Sequence, residues 1–183
     1  MPRESHRKSS RKAKKKNGTA ARHAKPQPAR NLLRHTVATL AYRAAKALRG
    51  APATFADFRA AETSRTAGQI VAHLGDLFDW ALSLAKGKHQ WRESPVLDWD
   101  RGVERFFAAL GAFDAHLASH KPLGFSAERL FQGPVADALT HVGQIAMLRR
   151  LAGSPVKGEN YFRAEIVPGR VGPGQSPPAF EFD

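Results

Sequence analysis

Pro134-Val-Ala-Asp137-Ala-Leu-Thr-His141-Val-Gly-Gln144-Ile-Ala-Met-Leu148-Arg-Arg-Leu151-Ala-Gly153 reads as one helix carrying two separate stripes. Val135, Leu139, Val142 and Ala146 form an apolar one. Asp137, His141, Gln144, Leu148 and Leu151 form the other, at spacings of 4, 3, 4 and 3 residues, which keeps them on one line along a helix. Gly133-Pro134 opens the segment, with proline expected at the first helical position, where its missing N–H costs nothing. Gly153 closes it and Pro155 follows. The second stripe begins polar and ends apolar. A solvent-facing stripe would not finish on Leu148 and Leu151, and a buried one would not begin with Asp and His. The helix is therefore expected to be buried on two faces with a polar pocket at one end, and that requires other helices around it.

Three further segments supply them. Leu33, Val37, Leu40, Ala44 and Leu48 recur at helical spacing after Asn31, a good N-cap, and Gly50 ends the run. Residues 51–66 connect, with Phe55 and Phe58 as apolar anchors. Ile70, Leu74, Leu77, Ala81 and Leu84 then repeat at 4, 3, 4 and 3 in a helix from about Thr66 to Lys86, the seam of a bundle. Val103, Phe106, Leu110, Phe113 and Leu117 mark a third helix beginning near Asp98 or Asp100. The predicted fold is all-α, a four-helix bundle over residues 31–155. Residues 156–183, rich in Gly and Pro, are expected to run extended against the bundle, anchored by Tyr161, Phe162, Ile166, Phe180 and Phe182.

The net charge of +13 is unevenly distributed. Residues 1–30 hold 11 Lys/Arg against Glu4 alone, a net +10, which leaves +3 for the rest. This segment has no Leu, Ile, Val or aromatic residue and is expected to be a disordered basic tail. Arg11, Lys12, Lys14, Lys15 and Lys16 are its candidate nucleic-acid contacts, weak and without sequence preference. About six phosphate contacts would give a log–log salt slope of roughly −4 to −5. A solvated tail is the competing reading. No apolar run approaches the ~18 residues of a membrane span and the N-terminus has no signal-like apolar stretch. The expected location is therefore cytoplasmic, without membrane contact.

Cysteine is absent. That excludes a disulfide scaffold, a thiolate metal site and a cysteine nucleophile, so any metal must be held by His, Asp or Glu. Asp137 and His141, one turn apart, reach a common point. His73, at the edge of the second helix's seam near Leu77 and Trp80, is the best third ligand. Two imidazoles and one carboxylate fill one side of a divalent transition metal (Zn, Ni, Fe or Mn) and leave positions open, as catalytic metals need. Gln144, one turn beyond His141, is the candidate to orient a ligand or a water. Against this stands the ordinary reading of a histidine beside a core stripe as a hydrogen-bonded core residue. His35, His89, His116 and His120 have no comparable spacing. Asp76 and Asp79 read as a solvated face, and Trp80, Trp91 and Trp99 as packing residues. There is no phosphate-binding Gly-rich loop, no Gly-x-Ser-x-Gly and no His-Glu-x-x-His.

Ala-His73-Leu-Gly-Asp76, followed by Asp137-Ala-Leu-Thr-His141-Val-Gly-Gln144 and Leu-Arg149-Arg150-Leu-Ala-Gly153, resembles the DinB-like superfamily of bacterial four-helix bundles over roughly residues 31–155. In that family a helix-two His joins a His-x-x-x-His followed by Gly-Gln. His73 and His141 match, while Asp137 stands where the first His of the pair is usual. The resemblance implies a metal-dependent enzyme acting on a small-molecule substrate. It also implies a low-molecular-weight thiol cosubstrate for transfer or isomerisation, or else water for hydrolysis. The alternative is a non-catalytic binding or stress-related module with a degenerate metal site and a tail on nucleic acid. A homodimer is left open.

Overall fold

The computed structural model describes residues 27–119 and 121–182. Expectations for the basic tail before residue 27, Arg11 to Lys16 among them, and for His120 lie outside the described residues.

Among these residues, helix dominates. α1 spans Pro28–Leu48, three residues earlier than the Asn31 cap suggested. The φ of Pro28 is already set for a first turn, and Arg30 gives the early turn a tertiary anchor. Its guanidinium donates to the main-chain oxygens of Leu117 (2.8 Å), His116 (2.9 Å) and Lys121 (2.9 Å). A tight turn over Ala53–Asp57 seats Phe55 in the core. α2 spans Ala67–Ala85 and opens on a capping box. The Thr66 side chain accepts from the Gln69 N–H, and the Gln69 side chain accepts from the Thr66 N–H. α3 spans Trp99–Ala118, and Asp98 caps it by accepting from the Arg101 N–H.

The last long helix departs from expectation. It begins at Ala127 rather than at Gly133-Pro134. α4 (Ala127–Leu130) runs through a π turn over Phe131–Val135 into α5 (Ala136–Leu151). Pro134 therefore lies inside the helix and is buried. The wider π turn accommodates a residue without an N–H, where a regular α turn would lose a bond and clash.

α2 and α3 form the most extensive pairing, and α1 packs on α5 and α3, with α5 also against α2. Val37, Leu40, Leu74, Leu77, Phe78, Phe106, Leu110, Phe113, Leu130 and Ile145 fill the space between them. The α5 stripe facing this core is Val135, Ala138, Val142, Ile145 and Leu148, while Leu139 and Ala146 are partly buried and Leu151 is exposed.

Asp76 also departs from expectation. It is buried rather than part of a solvated face, because α3 sends Arg105 across to it. Arg105 Nη2 donates to Asp76 Oδ1 and to Asp79 Oδ2, both at 2.7 Å, and Nη1 donates to the Ala72 carbonyl at 3.1 Å. Asp79 is the exposed member. A Cβ at position 75 would meet this guanidinium, so a larger residue there would have to displace it.

The C-terminal segment is held by polar contacts more than by the expected aromatics. Phe162 is 98% exposed and Phe182 is exposed too. Buried Glu159 accepts from Tyr42 Oη (2.6 Å) and Lys46 Nζ (2.9 Å), and Lys46 also bonds Glu181 at 2.7 Å. Burial opposes the Lys46 charge, but its bonds to Glu181 and Glu159 outweigh that and push its pKa up. Burial and the Glu159 carboxylate push the Tyr42 hydroxyl up as well. Tyr161 packs edge-on to Tyr42, Val171 is buried, and Gly158–Glu159 (β1) pairs antiparallel with Glu181–Phe182 (β2). No helix among the described residues is long and apolar enough to cross a membrane.

Candidate metal centre

α2 and α5 bring His73, Asp137 and His141 together, with one ligand atom from each lying within 4.8 Å of the others. His73 sits one residue before Leu74, the centre of the α2 seam. Its ring is thus carried to the core's edge rather than into it. Asp137 and His141 follow directly after the π turn and share a face of α5 one turn apart.

The carboxylate stands between the imidazoles. Asp137 Oδ2 lies 3.6 Å from His73 Nε2, and Asp137 Oδ1 lies 3.5 Å from His141 Nε2. The rings are perpendicular, with centroids 4.7 Å apart. These separations exceed ordinary N–H···O bonds of about 2.7–3.2 Å. Ligands ~2.0–2.2 Å from one ion in a tetrahedral arrangement stand roughly 3.4 Å from each other. The two separations are close to that value, while the three ligand atoms as a set lie only within 4.8 Å of one another, so the group could hold an ion after small side-chain shifts.

The orientation of His141 is fixed from behind. Gln144 Oε1 lies 2.7 Å from His141 Nδ1. An amide oxygen only accepts, so in this pairing Nδ1 donates and Nε2 is the ring atom that faces Asp137. This is the outer partner that metal-bound imidazoles usually have. Burial lowers the His73 pKa, with the charges of Arg65 and His141 adding to it and Asp137 opposing. A neutral imidazole is the form that ligates. The histidine side chains are 17% and 11% exposed against 48% for Asp137, so the cluster is reached from solvent on the carboxylate side.

Spacing alone did not identify two neighbours. Trp91, in the loop between α2 and α3, packs edge-on against His73 at 5.5 Å and against Trp80 at 5.8 Å. The loop is pinned to α2. The Ser94 N–H donates to Asp76 Oδ2 at 3.2 Å, and Ser83 Oγ donates to the Lys88 carbonyl at 3.2 Å. The Gly-Asp after His73 thus helps hold a wall of the site. The second neighbour is Arg65, in the connector before α2, whose charge acts on His73. Loop residues carry no periodic signal, and only His73's isolation beside an apolar seam hinted that something covers it. His89 stacks on Trp80 and His116 bonds the Ala85 carbonyl at 3.2 Å. His35 is exposed, and none of these three belongs to the cluster.

No family model, curated protein or solved structure matches the chain.

Proposed function

We propose that the chain is a DinB-like four-helix bundle whose His73, Asp137 and His141 hold one divalent transition metal, and that it is a metal-dependent enzyme acting on a small molecule. The observation that supports this reading is the convergence of two imidazoles and one carboxylate from two helices, with one ligand atom from each within 4.8 Å of the others. A bound divalent ion supplies Lewis acidity that keeps a thiol or a water in its anionic form near neutral pH. The chain's own contribution is orientation. Gln144 fixes the His141 tautomer, Trp91 and the α2 seam hold the His73 ring, and the single carboxylate leaves the site cationic. With no cysteine in the chain, a thiol nucleophile is a cosubstrate, and thiol-linked transfer or isomerisation is the favoured class, ahead of hydrolysis. The basic residues before α1, 10 Lys/Arg over residues 1–27, are proposed as a separate polyanion-binding arm.

The test is cobalt substitution of the full chain followed by titration with a low-molecular-weight thiol. The expected result is a thiolate-to-cobalt charge-transfer band in the near ultraviolet, absent from His73→Ala. An unchanged spectrum at saturating thiol would contradict an open position for a thiol and favour the non-catalytic binding module.

A further inference from the structure

A groove of about 390 Å³ opens beside the cluster, between the connector before α2 and the exposed side of α5. That is within the usual size range of small-molecule sites, roughly 300–1,000 Å³. Its apolar wall is Ile70, Met147, Leu148 and Leu151. Met147 and Leu151 are 52% and 58% exposed, although both follow the buried metal-side turn of the helix. The polar side chains at the groove are those of Ser64, Arg65, His141 and Gln144. Two of these belong to the candidate metal centre, so groove and centre are continuous.

The charge of the groove is one-sided. No carboxylate is among its lining residues. Arg65 is exposed and makes no hydrogen bond or ion pair among the described residues. The free guanidinium presents a planar fork of donors that matches a carboxylate or another oxyanion. A cation at one side, an apolar wall of four side chains and a candidate metal at the end define a ligand with three matching parts.

We propose that this groove binds a small organic acid with an apolar body, its oxyanion paired with Arg65, its body along Met147 and Leu151, and its reacting end at His141. Only the last element rests on the metal reading. The pairing with Arg65 and the apolar contact stand on the groove itself. Polar substrates such as free sugars leave the wall unused, and cationic ones meet Arg65 unfavourably.

The experiment compares phenylbutanoate with phenylbutanol, which share a carbon skeleton, by ligand-observed nuclear magnetic resonance on the full zinc-treated chain. Metal content is measured in every sample. The acid is expected to bind about tenfold more tightly than the alcohol, the scale of one charged hydrogen-bonded contact. Arg65→Gln is expected to erase that preference, leaving alcohol binding unchanged. Leu151→Asp, on an exposed position that the fold tolerates, is expected to weaken the acid by about tenfold or more. Failure of the acid to bind, equal binding of acid and alcohol, or a preference that survives Arg65→Gln would overturn the proposal. A metal-free parent that still prefers the acid through Arg65 would sink the metal reading and leave the groove's ligand class standing.

Discussion

His141→Ala is expected to lower affinity for zinc at least about a hundredfold, beyond the ~10–100-fold typical of losing an outer partner of a metal ligand. Two contributions disappear together. The Nε2 atom facing Asp137 is lost, and so is the Gln144 bond that fixes the ring. Asp137 is about half exposed and would relax into solvent, so the remaining pair keeps little preorganisation. The fold should survive, because the ring sits at the edge of the core and Gln144 is exposed. Calorimetric zinc titration with circular dichroism on the same sample reads both quantities. His35→Ala is the control, since His35 is exposed and outside the cluster. Parent-like affinity in His141→Ala would mean that zinc is held elsewhere.

The largest loss of stability is expected from Arg149→Met. This buried guanidinium joins the ends of two helices. Nε donates to the Ser154 carbonyl at 2.8 Å, and Nη1 to the carbonyls of Ala47 and Arg49, both at 3.1 Å. Nη2 donates to Ser154 Oγ at 2.9 Å and to the Gly50 carbonyl at 3.4 Å. The last carbonyls of α1 have no partners inside their own helix, and Gly50, at φ 65°, turns the chain so that one arginine reaches several of them. Methionine keeps much of the volume but leaves the acceptors without a donor in a dry place. The cost is about 3 kcal/mol or more, since bonds to a charged group contribute roughly 1.5–3 kcal/mol each and are not additive. For a chain of this size that lowers Tm by about 6–12 °C. Arg149→Lys should recover only a small part, because one ammonium cannot reproduce the fork. A change in Tm below about 2 °C for Arg149→Met would show that water replaces these bonds at no cost.

Sequence reading succeeded where structure is local. The helix starts near Thr66 and Asp98 and the stops at Gly50 and Gly153 rest on partners that lie within a few residues. The α2 seam from Ile70 to Leu84 needs only helical period. The cluster was legible for a related reason, since Asp137, His141 and Gln144 are joined by helical spacing alone, and His73 was left as the histidine nearest a seam. What stayed hidden depends on partners far along the chain. Asp76 looked solvated because Arg105 lies 29 residues away, and nothing local marked Arg30 or Arg149 as buried, since they reach main-chain oxygens 86 to 102 residues distant. Pro134 misled for another reason. Proline's preference for a first turn is strong, and it outweighed the start signal that Ser126 and Glu128 carry eight and six residues earlier.

Whether His73, Asp137 and His141 hold one metal ion is read by elemental analysis of the full chain, purified without an affinity tag or chelator. About one divalent transition ion per chain is expected, matching the one convergent donor set among the described residues, with its loss from both His73→Ala and His141→Ala and helical content retained. A parent that is metal-free and takes up neither zinc nor nickel on titration would contradict it, leaving the two histidines and Asp137 as polar groups at the edge of a helical core.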